Sequence, residues 1–566
     1  MLQNLTFALI LNILAFYSCA DEFDELIDSE QRVITPANLK QSIKDTPGSV
    51  TVISKEMLNR HNITSITDAL RLVPGMAITT VASDINVNIH GTNRSNSRRM
   101  NVLIDGVSIY PPSLANTVYS TLPVAIEDID RIEVLRNPAA ATHGTNSFLG
   151  VINILTKHPE GTSNEVKGWS SIDSDNGGYA VYGDNIGKTS LSFSFKHDRR
   201  NGFDKTEDNL PYDTGYSVNK LRFRSVTRLD DKNTFDFTFS SIAGERGAGV
   251  FTSGAENNPT IELDEYLITA SYNKRMDNDD LTVTLSRYDR DIVQEWKECN
   301  TLLFLLPESA ALFDANEDYF YAVIRGQIPT GGSPEDNQAL YNLLRVQQTI
   351  GDQIFAPTCG YINQNVDDSR TSIELSNIWS VSDELRLVGE LNYHQERIYS
   401  ETYLDGSLSL DTLALSLNGE YLAENYTVNF GGYLENNDNT DLEFSPRLSF
   451  AYHLTEQGTV RAVYSSSIRT PDTYENEVVW RYKVKNVDEN AAGVGPDTQF
   501  AVRAKGSGNL KPEEISSYEL GYLYNAADGK VTIDSRLFYD KLTNLISEKL
   551  ELFDFNPTNN GKVTLK

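Results

Sequence analysis

From about residue 165 onward the chain repeats one short pattern. Segments of roughly ten residues carry an apolar side chain at every second position and are separated by Asp, Asn and Gly turns. "TFDFTFSSIAG" sets Phe235, Phe237 and Phe239 on one face of an extended strand, and "LALSLNGEYL" does the same with Leu413, Leu415, Leu417 and Tyr421. "YTVNFGGYLEN", "RLSFAYHL", "TVRAVYSSS" and "KVTIDSRLFYDKL" continue it. One such segment fits a half-buried strand of a soluble sandwich as well as a membrane strand. So many in series favour a closed transmembrane barrel. Beyond the N-terminus no run approaches the ~20 apolar residues that a membrane helix needs. A chain of this kind crosses a bilayer as a barrel, where every backbone group finds a partner on a neighbouring strand.

The first residues, "MLQNLTFALILNILAFYSCADEFDEL", hold an apolar stretch followed by small residues and then acid. This is the outline of a secretory signal over residues 1–20 with cleavage after Ala20, although no Lys or Arg precedes the apolar run. A lipoprotein signal at Cys19 fits poorly, because Phe16 and Tyr17 stand where smaller residues are wanted. The formal net charge of -30 disfavours nucleic acid as a partner, since phosphate is bound through surplus Lys and Arg.

One stretch breaks the alternation. Between Cys299 and Cys359, "LLFLLPESAALFDANEDYFYAVIRG" and "SPEDNQALYNLLRVQQTIGD" read as helical pieces joined by "PTGGSP". In an exported chain, two cysteines flanking one insertion are most simply a disulfide. Two thiols with no nearby His cluster make a poor metal set, and the seven histidines are scattered. No metal and no cofactor are expected.

Ahead of the strands lies a differently punctuated unit. Ser65-Ile66-Thr67-Asp68 before "ALRLV" is a helix start and Pro74-Gly75 its stop. Asp105-Gly106 between "VLI" and "VSIY" is a hairpin signal, and Gly144 and Gly150 mark tight turns before a final strand. Alone, these features describe a small α/β domain. Barrels of about 22 strands, however, have a lumen that such a domain fills.

"IKDTPGSVTVISKEMLNRHNITSITDALRLVPGMAI", "MNVLIDGVSIY", "IEDIDRIEVLRNP" and "HGTNSFLGVINILTK", in that order, closely resemble the plug domain of TonB-dependent outer-membrane receptors. The later "FSPRLSFAYHLTEQGTVRAVYSSSIRTPDTYE" and the Asn-Leu-Lys-Pro-Glu run at 509–513 resemble the late barrel strands of that family. The resemblance implies a coupling segment at 21–39, a plug over 40–160 and an antiparallel barrel from 161 to 566 with an outer insertion at 299–359. It also implies a bacterial outer-membrane receptor that imports a scarce nutrient, a ferric siderophore or similar chelate. Its partners would be TonB with the inner-membrane energising complex, the extracellular ligand and outer-membrane lipid.

Site residues follow from the same resemblance. TonB would pair as an added strand either with Phe23, Asp24, Glu25, Leu26 and Ile27 or with the "RVIT" run holding Val33, Ile34 and Thr35. Arg136 on the plug and Glu475 and Glu519 on the wall take the positions of the family's plug–barrel lock. The usual Ile-Arg-Gly is Ile89-His90-Gly91 here, which puts His90 in that lock, and the usual Arg-Gly-Pro is Arg136-Asn137-Pro138. In the basic loop "GTNRSNSRR", Arg94, Arg98 and Arg99 are candidates to meet an anionic chelate, with Tyr110 beside Pro111 and Pro112 as a further contact; solvated loop charge is the plainer reading.

At ~20 residues per strand with its share of loop, the ~340 residues outside the insertion make about 17 strands. That count reads as a barrel lacking its last few strands. A passive porin or surface adhesin is the competing reading, but it leaves the front α/β unit without a use. An exported enzyme is disfavoured by the lack of Gly-x-Ser-x-Gly, His-Glu-x-x-His and Gly-x-x-x-x-Gly-Lys motifs. A signalling receptor would need a further N-terminal domain of about 80 residues by the same family resemblance.

Overall fold

The computed structural model describes residues 32–81, 84–90, 98–113, 117–205, 212–249, 259–488, 494–506, 508–526, 531–547 and 559–565. A sheet of 17 antiparallel strands runs in sequence order from Glu165–Ser170 to Asn559–Leu565. The side chains sort as the period of two dictates. On Gly406–Leu422, Leu413, Leu415 and Leu417 stand outward at 53%, 55% and 51% exposure, whereas Thr412, Ala414, Ser416 and Asn418 face inward and are buried. An apolar outer belt around a polar interior is the lipid-facing barrel pattern. No described helix is long and apolar enough to cross a membrane.

The two rims differ. Strands are joined at one rim by short turns, such as 187–188, 229–232, 276–278 and 381–384. The other rim carries the long excursions, including 302–365 and 470–512. The first holds the helices Pro307–Ala315, Glu317–Ile324 and Pro334–Ile350, which close over their own apolar core around Leu312, Phe320 and Leu343. Cys299 and Cys359 are paired in register and disulfide-bonded at the base of this cap. Of the 17 strands, Pro357–Asn363 belongs to the cap's returning arm and flanks only the upper part of Asp279–Thr301.

Inside lies the plug. Its five-stranded sheet has the order Val50–Ser54, Ile129–Leu135, Gly150–Thr156, Met100–Ile104, Val107–Ser108. The Met100–Ile104 strand runs parallel to Gly150–Thr156. The helix Ile66–Leu70 starts at Ser65, whose hydroxyl accepts from the Asp68 amide at 3.1 Å, and packs its apolar face on the sheet. Asp105 and Gly106 make the hairpin turn with φ of 49° and 86°, the left-handed values such a turn demands. At Gly150 (φ 157°) a Cβ would stand 2.2 Å from the Leu135 carbonyl oxygen, so only glycine fits there.

Candidate functional site

Charged residues on a membrane-spanning strand must face the lumen, and here they meet the plug in separate groups. Near the long-loop rim, Arg98 Nη1 lies 2.9 Å from Glu475 and 3.2 Å from Asp472. Arg99 donates to both oxygens of Glu513, at 2.8 and 2.7 Å. Arg469 joins the two carboxylates, donating to Glu513 at 2.7 Å and to Glu475 at 2.8 and 3.0 Å. Asp472 caps the short helix Thr473–Glu477 that presents Glu475. Burial alone would raise the Glu475 carboxyl, but Arg469 and Arg98 outweigh it and hold it below the usual carboxylate range. Glu513 is fully buried and Arg469 nearly so. Every charge in this group has an opposite partner, which is what a buried network needs.

This arrangement corrects the expectation for the basic loop. Arg98 and Arg99 are 4% and 5% exposed; Arg98 pairs with Asp472 and Glu475 of the 470–512 excursion and Arg99 with Glu513 of the wall, so neither is a free cation facing a ligand. Arg94 lies outside the described residues. Tyr110 is also buried, and its hydroxyl donates to the Arg98 carbonyl at 2.9 Å.

A second group surrounds Arg136. Its guanidinium donates to Asp534 at 2.5 Å, not to Glu475 or Glu519. Glu519 instead accepts from Ser49 of the plug at 2.8 Å, and it pairs with Arg461 at 3.3 Å and Arg536 at 2.9 Å. Beside them His90 stacks flat on Phe538, ring centroids 4.0 Å apart, with Nδ1 3.6 Å from Asp540. The four expected lock residues thus all reach the plug–wall interface, but Glu475 and Glu519 belong to different groups. Asp472, Glu513, Arg461, Arg469, Asp534 and Arg536 were missed. For Glu513, Arg461, Arg469, Asp534 and Arg536, period-two positions on the lumen face were the signal that would have found them; Asp472 lies off the strands, as the cap of Thr473–Glu477.

At the short-turn rim the chain enters the plug as a docked segment. Arg32–Val33 pairs antiparallel with Gln41–Ser42. The buried Glu133 accepts from the amides of Ile34 and Thr35 at 3.1 and 2.9 Å and from the Thr35 hydroxyl at 2.6 Å. His143 Nε2 lies 2.5 Å from the Thr35 carbonyl, and Arg447 of the wall donates to the Pro36 carbonyl at 2.6 Å. Val33 and Thr35 are fully buried. Phe23, Asp24, Glu25, Leu26 and Ile27 lie outside the described residues.

Beside the Arg98 group, whose Asp472 lines the gap, the plug does not meet the wall tightly. A cavity of about 360 Å³ separates them, lined from Asn437 and Thr473 near the long-loop rim to Thr282 and Ile378 near the short-turn rim. Glu374, Glu390 and Glu435 face it. Among the described residues, no group of His, Cys, Asp and Glu is arranged to hold a metal ion.

A family model for the TonB-dependent receptor plug domain matches residues 42–151, and one for the TonB-dependent receptor-like β-barrel matches residues 159–566. The chain is 23% identical over 564 residues to the iron-regulated outer membrane virulence protein of Vibrio cholerae serotype O1 (El Tor Inaba N16961), covering 95% of this chain and 72% of that one. It is 22% identical over 491 residues to the vitamin B12 transporter BtuB of Photobacterium profundum, covering 86% of this chain and 66% of the relative. The siderophore receptor PirA from Pseudomonas aeruginosa shares the fold with a TM-score of 0.61 at 16% identity, over 92% of this chain and 80% of that one. The ferric yersiniabactin uptake receptor FyuA from Yersinia pestis does so with a TM-score of 0.61 at 14% identity, over 95% and 76%. With plug and barrel both matched along most of its length, the chain belongs to the TonB-dependent receptors, a family of outer-membrane receptors and transporters rather than enzymes.

Proposed function

We propose that the protein binds a scarce extracellular nutrient, a ferric siderophore or similar chelate, and imports it with energy delivered by TonB. The observation that carries this reading is the docked entry segment. A passive pore has no use for a lumen-filling domain, still less for one whose first residues are nailed by Glu133, His143 and Arg447 at the rim where the chain enters. A strand pulled from that position breaks those bonds one after another and transmits force into the plug sheet through Glu133. The relatives and solved structures named for iron regulation, vitamin B12 and siderophores support a scarce nutrient of this kind.

The test is uptake in a receptor-deleted host carrying the complete gene, across ferric chelates, haem, cobalamin and oligosaccharides, with a control lacking residues 21–35. Uptake of one ligand that vanishes in the control and in a host without TonB supports the reading. Uptake that survives both losses would make the protein a passive channel.

A further inference from the structure

We propose that the outer cap controls part of the plug's hold on the barrel, through a two-stranded ribbon in the 470–512 excursion. The ribbon is built into the cap at its outer end and holds Arg98 of the plug at its inner end. Moving the cap draws Asp472 and Glu475 away from Arg98 and leaves Arg99 on Glu513. Plug seating of this kind does not depend on the import reading above.

The ribbon pairs Val479–Trp480 with Ala504–Lys505 and Lys483–Val484 with Thr498–Gln499. Asp314, on the cap helix Pro307–Ala315, accepts from Arg481 at 3.1 and 2.7 Å and lies 3.2 Å from Arg503. One cap carboxylate therefore holds both arms. The Ala501 amide donates to the Phe304 carbonyl, and the Thr498 hydroxyl to the Leu305 carbonyl, both at 2.7 Å. Ala501 and Val502 are buried in the cap's own apolar core, with Leu312 and Phe320. Lys485 exchanges backbone bonds of 2.8 and 2.9 Å with Tyr361 on the cap's returning arm.

The inner end has no slack. Val478 alone separates the ribbon from the helix Thr473–Glu477. The Gly506 amide donates to the Val478 carbonyl at 2.7 Å, and the Gly508 amide to the Asn476 carbonyl at 3.0 Å. The rings of Tyr474 and Trp480 both pack on Tyr403. This helix meets the plug twice, through the acids on Arg98 and through the Tyr474 amide, which donates to the Ser113 carbonyl at 3.3 Å. Close-packed elements transmit a displacement instead of absorbing it. Arg99 is held differently, by Glu513 on a wall strand that the ribbon does not carry.

Arginine accessibility tests this in the full chain in detergent, with phenylglyoxal as the reagent and each adduct located by mass spectrometry. In one variant residues 302–356 are replaced by Asn-Gly, because Thr301 and Pro357 face each other in register and a two-residue turn joins such a pair. In the other, Asp314→Lys sets a cation against Arg481 and Arg503 from a position outside the cap's apolar core. Arg469 keeps its bonds to Glu475, so the release is partial. Both variants should raise the rate at Arg98 by roughly 3- to 10-fold while Arg99 and Arg136 keep their parental rates. Asp314→Glu should leave Arg98 protected. An unchanged Arg98 in Asp314→Lys, or Arg98 and Arg99 rising together, would overturn the proposal, since the cap would then be a cover and not a control. If the deletion does not fold, Asp314→Lys decides alone.

Discussion

The plug meets the barrel in two ways on two sides. Along the strands Gly458–Arg469, Glu513–Asn525 and Thr532–Ile546, charge is dense, and Arg461, Arg469, Arg536, Glu513 and Glu519 are paired. Along Val366–Ser380, Leu385–Ser400 and Tyr426–Asn437, Glu374, Glu390 and Glu435 face a cavity and make no ion pair among the described residues, while Arg370 on the same cavity pairs with Glu396. A lumen carries charge on both sides because lipid excludes it from the outside. Pairing ties the plug to the wall on one side, and a cavity separates them on the other. If the plug is displaced, the second side is where it parts.

The largest expected effect tests the anchor. Glu513→Ala leaves the guanidiniums of Arg99 and Arg469 buried without one of their acceptors, so the folded state loses about 3–5 kcal/mol, read as a lower unfolding midpoint. Glu390→Gln on the seam replaces a buried carboxyl that has no cationic partner, and the amide can keep a bond to Asn38 or Ser416. Its midpoint should stay level or rise. Equal losses in the two variants would erase the distinction between the sides.

A smaller effect sharpens it. Arg136→Ala removes one pair, with Asp534, from a group in which Ser49, Arg461 and Arg536 still hold Glu519. Because Asp534 also keeps Arg461 and is partly open to solvent, the cost should be about 1–3 kcal/mol, less than at Glu513. A cost matching Glu513→Ala would mean that the two arginine groups act as a single unit.

Much of this was legible in the sequence, and what was not has a physical reason. Ser65 reads as a cap and Asp105-Gly106 as a turn because both are decided by residues next to one another. Period two tells that Arg461 and Arg469 share a face with Glu513 and Glu519 once the strands are paired. It does not tell which plug residue stands at that point around the barrel. Arg99 and Glu513 are 414 positions apart, and only the seating of one domain in the other joins them. So Arg98 and Arg99, read locally, look like solvated loop charges. For the same reason Glu374, Glu390 and Glu435 could not be told from the paired carboxylates: the lack of a partner is a property of the assembled lumen.

The smallest effect lies where the two sides meet, at the docked entry segment. His143 and Ile34 both line the seam, and the His143 imidazole sits 2.5 Å from the Thr35 carbonyl. Burial pushes this imidazole down to about 4; the Thr35 contact opposes the shift and the charge of Arg447 adds to it. An undocked histidine titrates near 6.5. As pH falls from about 6.5 toward 4, the undocked state takes up a proton that the docked state refuses, so docking weakens steadily across that window and is insensitive to pH above it. Amide exchange at Ile34 and Thr35, whose N–H groups are held by Glu133, should therefore speed up on acidification beyond the intrinsic pH trend, and His143→Gln should flatten the excess. If the excess persists in the Gln variant, the imidazole beside the segment does not govern the dock.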